Sequence, residues 1–307
     1  MIFIYHILRS ITKEKRHIVI QKGRLSLRRK IIRNLILTVF LLSFFNAIGI
    51  HEITEISRLQ RLNEGTVTSS SFRDHRISNE MLEYLIHISD KEFRAEHVGL
   101  YLLETRMGHQ SFAKAYSEES FRSLRRRWSR KEEYVAYIEI CKALWGDLKF
   151  FPVPISVTNP NLRVSFTDSW MHERTFGGAR GHEGTDIIPN ENTPGLFPIV
   201  SMTDGVVTSM GWLEKGGHRV GITSPSGGYF YYAHLDSYAD IQVGDTIRAG
   251  ELLGFMGDTG YGPEETRGKF VVHLHVGIYM FPDGIETSVN PYWMLRYLEN
   301  YKIKANF

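Results

Sequence analysis

Two short segments of the 307-residue chain combine residue types and spacings that could do chemistry. The first is Val272-His273-Leu274-His275-Val276-Gly277-Ile278. Alternate side chains of a strand share a face, so Val272, Leu274, Val276 and Ile278 point one way and His273 and His275 point together the other way. The apolar row pins the register and keeps both imidazoles out of the core. The second is Gly181-His182-Glu183-Gly184-Thr185-Asp186-Ile187. His182 and Asp186 stand four apart, on one face in either a strand or a helix, and Gly184 and Thr185 argue against the helix. In extended backbone Gly184 lies between them on that face, where a missing side chain leaves room for an ion bridging the pair. Asp186 occupies the place of the second histidine of an HExxH helix, so Glu183 is not expected to act as that motif's general base.

His182, Asp186 and one histidine of the HxH pair amount to two imidazoles and a carboxylate. Three protein ligands with an open position for water describe a catalytic zinc site rather than a closed structural one. Zinc lowers the pKa of bound water to about 7, and the resulting nucleophile needs proton partners. The other HxH histidine is one candidate. His234, in Tyr231-Tyr232-Ala233-His234-Leu235, is a second, because imidazole titrates near neutrality. Spacing alone leaves open which HxH histidine is the ligand. The same donors also form the triad of non-haem iron oxygenases, against which export and the two additional histidines argue. A lipoyl-like carrier is suggested by Val243-Gly244-Asp245 and Ala249-Gly250, but that segment has no suitable turn lysine.

Read in order, Asp168-Ser169-Trp170, Gly181 to Ile187, Tyr232-Ala233-His234-Leu235, Gly254-x-x-Gly257-x-Thr259-Gly260 and His273-Leu274-His275 resemble the motif series of lysostaphin/LytM-like zinc metallopeptidases. These are peptidoglycan endopeptidases with the duplicated hybrid motif fold. The resemblance covers roughly residues 162–291. It implies that His182, Asp186 and His275 hold one zinc ion, and that His234 and His273 activate the water and stabilise the tetrahedral intermediate. Every motif position is filled, which counts against a non-catalytic wall- or partner-binding scaffold built on the same fold. One departure concerns a Gly-Pro pair that usually sits directly before the HxH strand. Here Gly262-Pro263 is separated from His273 by Glu264 to Val272, which predicts a loop at the groove mouth bearing on substrate choice. Tyr261 and the stretch Met171–Arg180 are expected to border the same groove, and His172 and His218 to be solvent-exposed loop histidines.

The elements that must position these residues follow from composition. All ten prolines and 21 of the 27 glycines lie after residue 150. There the pattern is of short strands and glycine turns. Leu196–Met202 and Val206–Trp212 flank Asp204-Gly205, Arg219–Thr223 and Tyr229–His234 flank Ser226-Gly227-Gly228, and Lys269–Met280 reads as a long final strand. Residues 151–307 are therefore expected to form an all-β catalytic domain, an antiparallel β sandwich or barrel. Residues 51–150 read instead as a separate α-helical region. Ser78 precedes Met81, Leu82, Leu85 and Ile86; Phe121, Leu124 and Trp128 fall at i, i+3, i+7; Ser129 to Glu132 has the form of a capping box, with Gly146 as the stop. Phe151-Pro152-Val153-Pro154 reads as the linker. The run Arg122, Arg125, Arg126, Arg127, Arg130, Lys131 reads as a solvated helix face, or as a contact for anionic lipid or an anionic wall polymer.

Charge divides the chain again. Residues 1–33 carry ten Lys/Arg against Glu14; subtracted from totals of 37 and 34, they leave 27 bases against 33 acids, or −6, for residues 34–307. An acidic body has no global pull toward phosphate backbones, so a nucleic-acid partner is not expected. Asn34–Ile50 is 17 residues without a charge, at the short end of a bilayer span. A basic tail (1–33) before a lone apolar span (34–50) predicts a single-pass anchor in the cytoplasmic membrane, N-terminus inside and body outside. Ala47-Ile48-Gly49 loosely fits a cleavage site and would release a secreted form, but the basic segment is long for a signal peptide. The single Cys141 excludes an internal disulfide and a cysteine zinc cluster within one chain. The combined expectation is a membrane-anchored zinc endopeptidase that cuts peptidoglycan stem peptides or cross-bridges.

Overall fold

The computed structural model describes residues 2–88, 90–176 and 178–307. The chain divides into two compact units, 1–60 and 61–307. The first unit is one helix, α1 (Ile2–Leu59). Its segment Lys15–Leu59 is long and apolar enough to cross a membrane by length and composition. The expected span lies inside it, with Leu35, Phe40, Leu42 and Phe45 exposed.

Among the described residues the second unit begins with five α-helices, α2 (Ser70–Asp74), α3 (Asn79–His87), α4 (Arg94–Glu104), α5 (Glu118–Trp128) and α6 (Tyr134–Trp145). Serine side chains start three of them: Ser69, Ser78 and Ser117 accept from the amides of Phe72, Met81 and Ser120, filling donors that a helix leaves orphaned. Phe121, Leu124 and Trp128 are buried along one face of α5, as their spacing predicts. The expected capping box at Ser129 does not form. Trp128 is held in the core with its Nε1 on Glu104, so α5 runs on to Ser129 and α6 starts behind Glu133 without a side-chain cap.

The strands follow as β1 (Ile155–Ser156), β2 (Val164–Ser165), β3 (Glu173–Arg174), β4 (Arg180–Gly181), β5 (Thr185–Pro189), β6 (Pro198–Val200) and β7 (Gly205–Leu213). After these come β8 (Gly217–Thr223), β9 (Tyr229–Tyr238), β10 (Thr246–Ile247), β11 (Leu252–Met256), β12 (Leu274–Met280) and β13 (Thr287–Val289), then helix α7 (Tyr292–Leu298) and β14 (Lys304–Ala305). The main sheet is antiparallel, in the order β10-β7-β8-β9-β12-β5-β2, with β11 joining β9 to β6 and β13 added to β12. The antiparallel expectation therefore holds, and the described pairing is a branched sheet rather than a closed barrel.

Three local expectations change. Asp204-Gly205 does not close a hairpin, because β6 pairs with β11 while β7 pairs with β8 and β10. Asp204 Oδ1 instead accepts from the Ala249 amide, and Gly205 stands opposite Ile247. Regular pairing of the final strand starts at Leu274, not Lys269; before it only His273 bridges to Gly257. Nor is the helical region separate. Phe151 to Pro154 is buried, with Phe151 N bonded to Tyr301 O and Val200 N to Pro152 O, so it is a packed segment rather than a linker. Buried Arg94 of α4 donates to the carbonyls of Trp145 and Leu148 and to the Tyr297 hydroxyl of α7. A buried guanidinium needs that full set of acceptors, and they come from both sides of the expected boundary.

Candidate metal centre

Register alone brings two of the site residues together. His275 of β12 stands directly opposite Asp186 of β5, so their side chains leave the sheet on the same face. His182 precedes β5, where its amide donates to His172 O and its carbonyl accepts from Met171 N. The result is a tight triangle. His182 Nε2 is 3.0 Å from His275 Nδ1 and 3.1 Å from Asp186 Oδ1, and His275 Nδ1 is 3.0 Å from the same carboxylate oxygen. Among the described residues these three form the group of ligating side chains able to hold a metal ion. Ligands about 2.0–2.1 Å from a tetrahedral zinc stand roughly 3.3 Å apart, and two nitrogens with one oxygen suit that ion.

Gly184 has a more specific part than the sequence suggested. A Cβ there would lie 2.3 Å from His275 Cε1 and 2.7 Å from Val276 O. The missing side chain makes room for the His275 ring itself. Asp186 is shaped by opposing effects: burial pulls its carboxyl upward, but hydrogen bonds from His182 and His275 outweigh this and hold it well below the usual carboxylate range. The carboxylate is thus kept ionised, as a ligand must be. Behind the triangle, His182 Nδ1 lies 3.0 Å from Ser169 Oγ and 3.3 Å from Ser169 O. Ser169 belongs to the Asp168-Ser169-Trp170 motif, which explains that motif's place near the site.

His234 and His273 stand beside the triangle, with ring centroids 4.6 Å apart. Each gives one nitrogen to a backbone carbonyl: His234 Nδ1 donates to Thr259 O (2.7 Å) and His273 Nδ1 to Val271 O (2.8 Å). Nε2 is therefore the free nitrogen of both rings, and that of His273 is 3.8 Å from Asp186 Oδ1. Burial lowers the pKa of each imidazole, and for His234 the neighbouring His273 and His275 add to the effect. Neutral rings with Nε2 unprotonated are proton acceptors. His234 reaches the groove through a backbone device. Strict alternation would place it on the face of the buried Phe230 and Tyr232, but its φ of 63° breaks the alternation. The break falls where β9 changes partner, from β12 at Ala233 to β11 at Leu235.

A groove of about 860 Å³ runs over these residues. The segment before His273 forms the expected loop at its mouth. It is tied down by Arg267 to Asp236 (2.6 Å) and by Val272 N to Asn192 Oδ1 (2.8 Å), and it lays Phe270 against both His234 and His273. From the opposite wall, the β3–β4 hairpin brings Phe176 flat against Tyr261, centroids 4.1 Å apart. Arg174 of the same hairpin was not singled out by sequence reasoning. Its Nη2 donates to Asp186 Oδ2 (2.6 Å), occupying the oxygen that the two histidines leave free. His172 is exposed as expected. His218 is not: it lies within β8, against Trp212 and with Nε2 3.0 Å from Glu265, because the inserted loop folds over it. Three of the six members of the basic run are paired, Arg125 with Glu96, Arg127 with Glu104 and Lys131 with Glu133, while Arg122, Arg126 and Arg130 are exposed.

Comparison with known proteins adds the family context. Residues 57–147 match the model of the LytM N-terminal domain, and residues 180–291 match that of peptidase family M23. The L-Ala--D-Glu endopeptidase of Bacillus subtilis (strain 168) is 40% identical over 153 residues, half of this chain and 44% of that protein. Lysostaphin of Staphylococcus simulans is 33% identical over 82 residues, 26% of this chain and 16% of that protein. The chain thus spans less than half the length of either relative. A crystal structure from Ruminococcus gnavus ATCC 29149, named for the glycyl-glycine endopeptidase lytM, is 47% identical with a TM-score of 0.75. The match covers 81% of this chain and 98% of that one.

Proposed function

The chain belongs to peptidase family M23, and from that premise we propose that it is a zinc-dependent endopeptidase hydrolysing peptide bonds of peptidoglycan, in stem peptides or cross-bridges. The observation that carries the reading is the convergence of His182 Nε2, Asp186 Oδ1 and His275 Nδ1 within one groove, beside two further histidines whose Nε2 atoms are free. In this reading His182, Asp186 and His275 hold one zinc ion. Bound zinc supplies a Lewis acid and a water acidic enough to ionise near neutral pH. His234 and His273 are the proton partners, accepting at Nε2 and, once protonated, donating to the developing oxyanion or the leaving amine. Their Nδ1–H bonds to Thr259 O and Val271 O fix the ring orientation and the tautomer. Arg174 restrains Asp186 through Oδ2 and leaves Oδ1 to the metal.

The basic tail 1–33 and the apolar stretch 34–50 of α1 support a cytoplasmic tail and a membrane anchor, with the body on the outer side, where its polymer substrate lies. The decisive experiment uses the full chain purified in detergent. Its zinc content is measured, and it is then incubated with purified walls of defined cross-link type, the released fragments being mapped by mass. Stoichiometric zinc with a single cleaved bond class supports the proposal. A folded, zinc-loaded chain that cuts none of the wall types overturns it.

A further inference from the structure

The groove continues past the metal centre across β12, β9 and β8. Val276, Tyr232 and Val220 form one row across these strands, so Arg219 of β8 lies two strands from His275, about 10 Å between backbones. Arg219 borders the groove together with Tyr229, Tyr231 and Tyr279. Glycines shape this part of the floor. A Cβ at Gly216 would sit 2.2 Å from the Tyr231 hydroxyl and one at Gly221 2.1 Å from that of Tyr229, while one at Gly211, opposite Arg219 in β7, would stand in open space. Two of the guanidinium nitrogens, Nε and Nη1, are buried without a hydrogen-bond partner. Nη2 is not among the buried nitrogens, and no hydrogen bond fixes it, so the half-buried guanidinium offers this one donor edge to a partner arriving in the groove.

The other charges along the groove set the sign of that partner. Asp186 is taken by Arg174 and the histidines, and Glu183 by Arg73. What remains is Arg219, Arg180 and Lys215 against Glu286. Arg180 repeats the signature, its Nε buried and unpaired. An excess of guanidinium beside a peptide-cleaving centre suits a carboxylate carried by the peptide.

We propose that Arg219 is a substrate-binding residue that takes a free carboxylate of the peptide close to the scissile bond, so that this groove selects acidic peptides; the inference rests on the endopeptidase reading. The carboxylate has two sources, an acidic residue next to the bond or the peptide's own C-terminus. The test uses the full chain and three synthetic peptides containing L-Ala–D-Glu: the parent, one with the free D-Glu carboxylate replaced by carboxamide, and one amidated at the C-terminus. Affinity is read on the metal-free chain, which binds without turnover, and kcat/KM on the zinc-loaded chain. The parent is expected to bind about 10- to 100-fold more tightly than one of the two amides, the range of a charge-assisted hydrogen bond to an ionised partner, and that amide names the source. Arg219→Gln should erase the preference, and Arg219→Lys should restore part of it. Equal affinity for all three peptides overturns the inference, as does an Arg219→Gln loss that is the same for all three. Arg219-dependent selectivity in binding, with no hydrolysis by the zinc-loaded chain, would uphold the assignment of Arg219 while removing the endopeptidase reading.

Discussion

Arg73 of α2 donates a 2.8 Å hydrogen bond to Oε1 of Glu183, the neighbour of His182, and so joins the helical region to the segment that carries the proposed metal ligand. The same side chain donates through Nε to Ser288 O (2.9 Å) and through Nη2 to Ser288 Oγ (2.7 Å), and it lies over the Trp170 ring. The ion pair alone is half-exposed and adds little; the Ser288 contacts carry most of the stabilisation. Arg73→Ala should cost about 2 kcal/mol, read as a melting temperature lower by about 4–8 °C. Glu183 is turned toward this arginine rather than toward the triangle. Loss of a general base costs about 10²–10⁴-fold in rate, and Glu183→Gln should show no loss of that size. A fall of a hundredfold at unchanged zinc content would return Glu183 to the chemistry.

Ligands and proton partners should separate on mutation. His182→Ala removes a donor whose Nε2 lies within 3.1 Å of both other donors, and it should lose zinc and hydrolysis together. His273 stands outside that triangle, 3.8 Å from Asp186 Oδ1. His273→Ala should therefore keep stoichiometric zinc, measured by elemental analysis, and lose about 10²–10⁴-fold in kcat. Retained turnover in the purified variant would take His273 out of the mechanism.

That the five proposed site residues would gather was legible because strand parity and motif order are local properties. Which HxH histidine joins the triangle is a matter of register: His275, not His273, stands opposite Asp186. His234 was visible as a residue but not as a position, since only the positive φ at a change of strand partner carries it off the core face. Arg174 lies in the stretch Met171–Arg180 expected to border the groove, but nothing local singled it out there, and Arg219 gave no local signal at all. One reaches the site through a two-residue hairpin pairing, the other through a groove floor assembled from three strands. The close packing across residue 150 was hidden for a related reason. Composition does change there, but Arg94 draws its hydrogen-bond partners from both sides and Arg73 reaches across to Ser288 and Glu183, and no short window of sequence records such distant contacts.

Two buried histidines in the helical region should make the fold acid-sensitive. His75 is fully buried; its Nδ1 donates to Phe72 O (3.2 Å) and its Nε2 accepts from Trp145 Nε1 (2.7 Å), a pattern that needs the neutral ring. Burial pushes its pKa down to about 4, and burial does the same for His97. The unfolded chain titrates near 6.5 and so binds more protons than the fold between that value and about 4. Stability is therefore fully present above pH 6.5 and declines as pH falls toward 4, by roughly 3 kcal/mol from His75 alone. Denaturant midpoints measured from pH 7.5 to 4.5 should fall across this window. His75→Gln should flatten part of the slope, and a slope unchanged in His75→Gln would refute this origin.

Gly184→Ala tests the room made for the His275 ring. The added methyl would stand 2.3 Å from His275 Cε1, 2.5 Å from its Nε2 and 2.7 Å from Val276 O, a backbone atom of the paired strand that cannot swing aside. The ring must yield, and a ligand displaced by a few tenths of an ångström no longer meets His182 Nε2 and Asp186 Oδ1 at one point. Zinc affinity should fall by about 10–100-fold, the range for disturbing the support of a metal ligand, with hydrolysis falling in parallel. Gly65→Ala is the matched control, since its Cβ would meet only Asn63 Oδ1 at 3.4 Å. Both variants should keep the wild-type far-ultraviolet circular dichroism spectrum, so that a selective loss of zinc by Gly184→Ala reports the ligand and not the fold. Wild-type zinc affinity in Gly184→Ala would mean that the His275 ring does not depend on the space at Gly184.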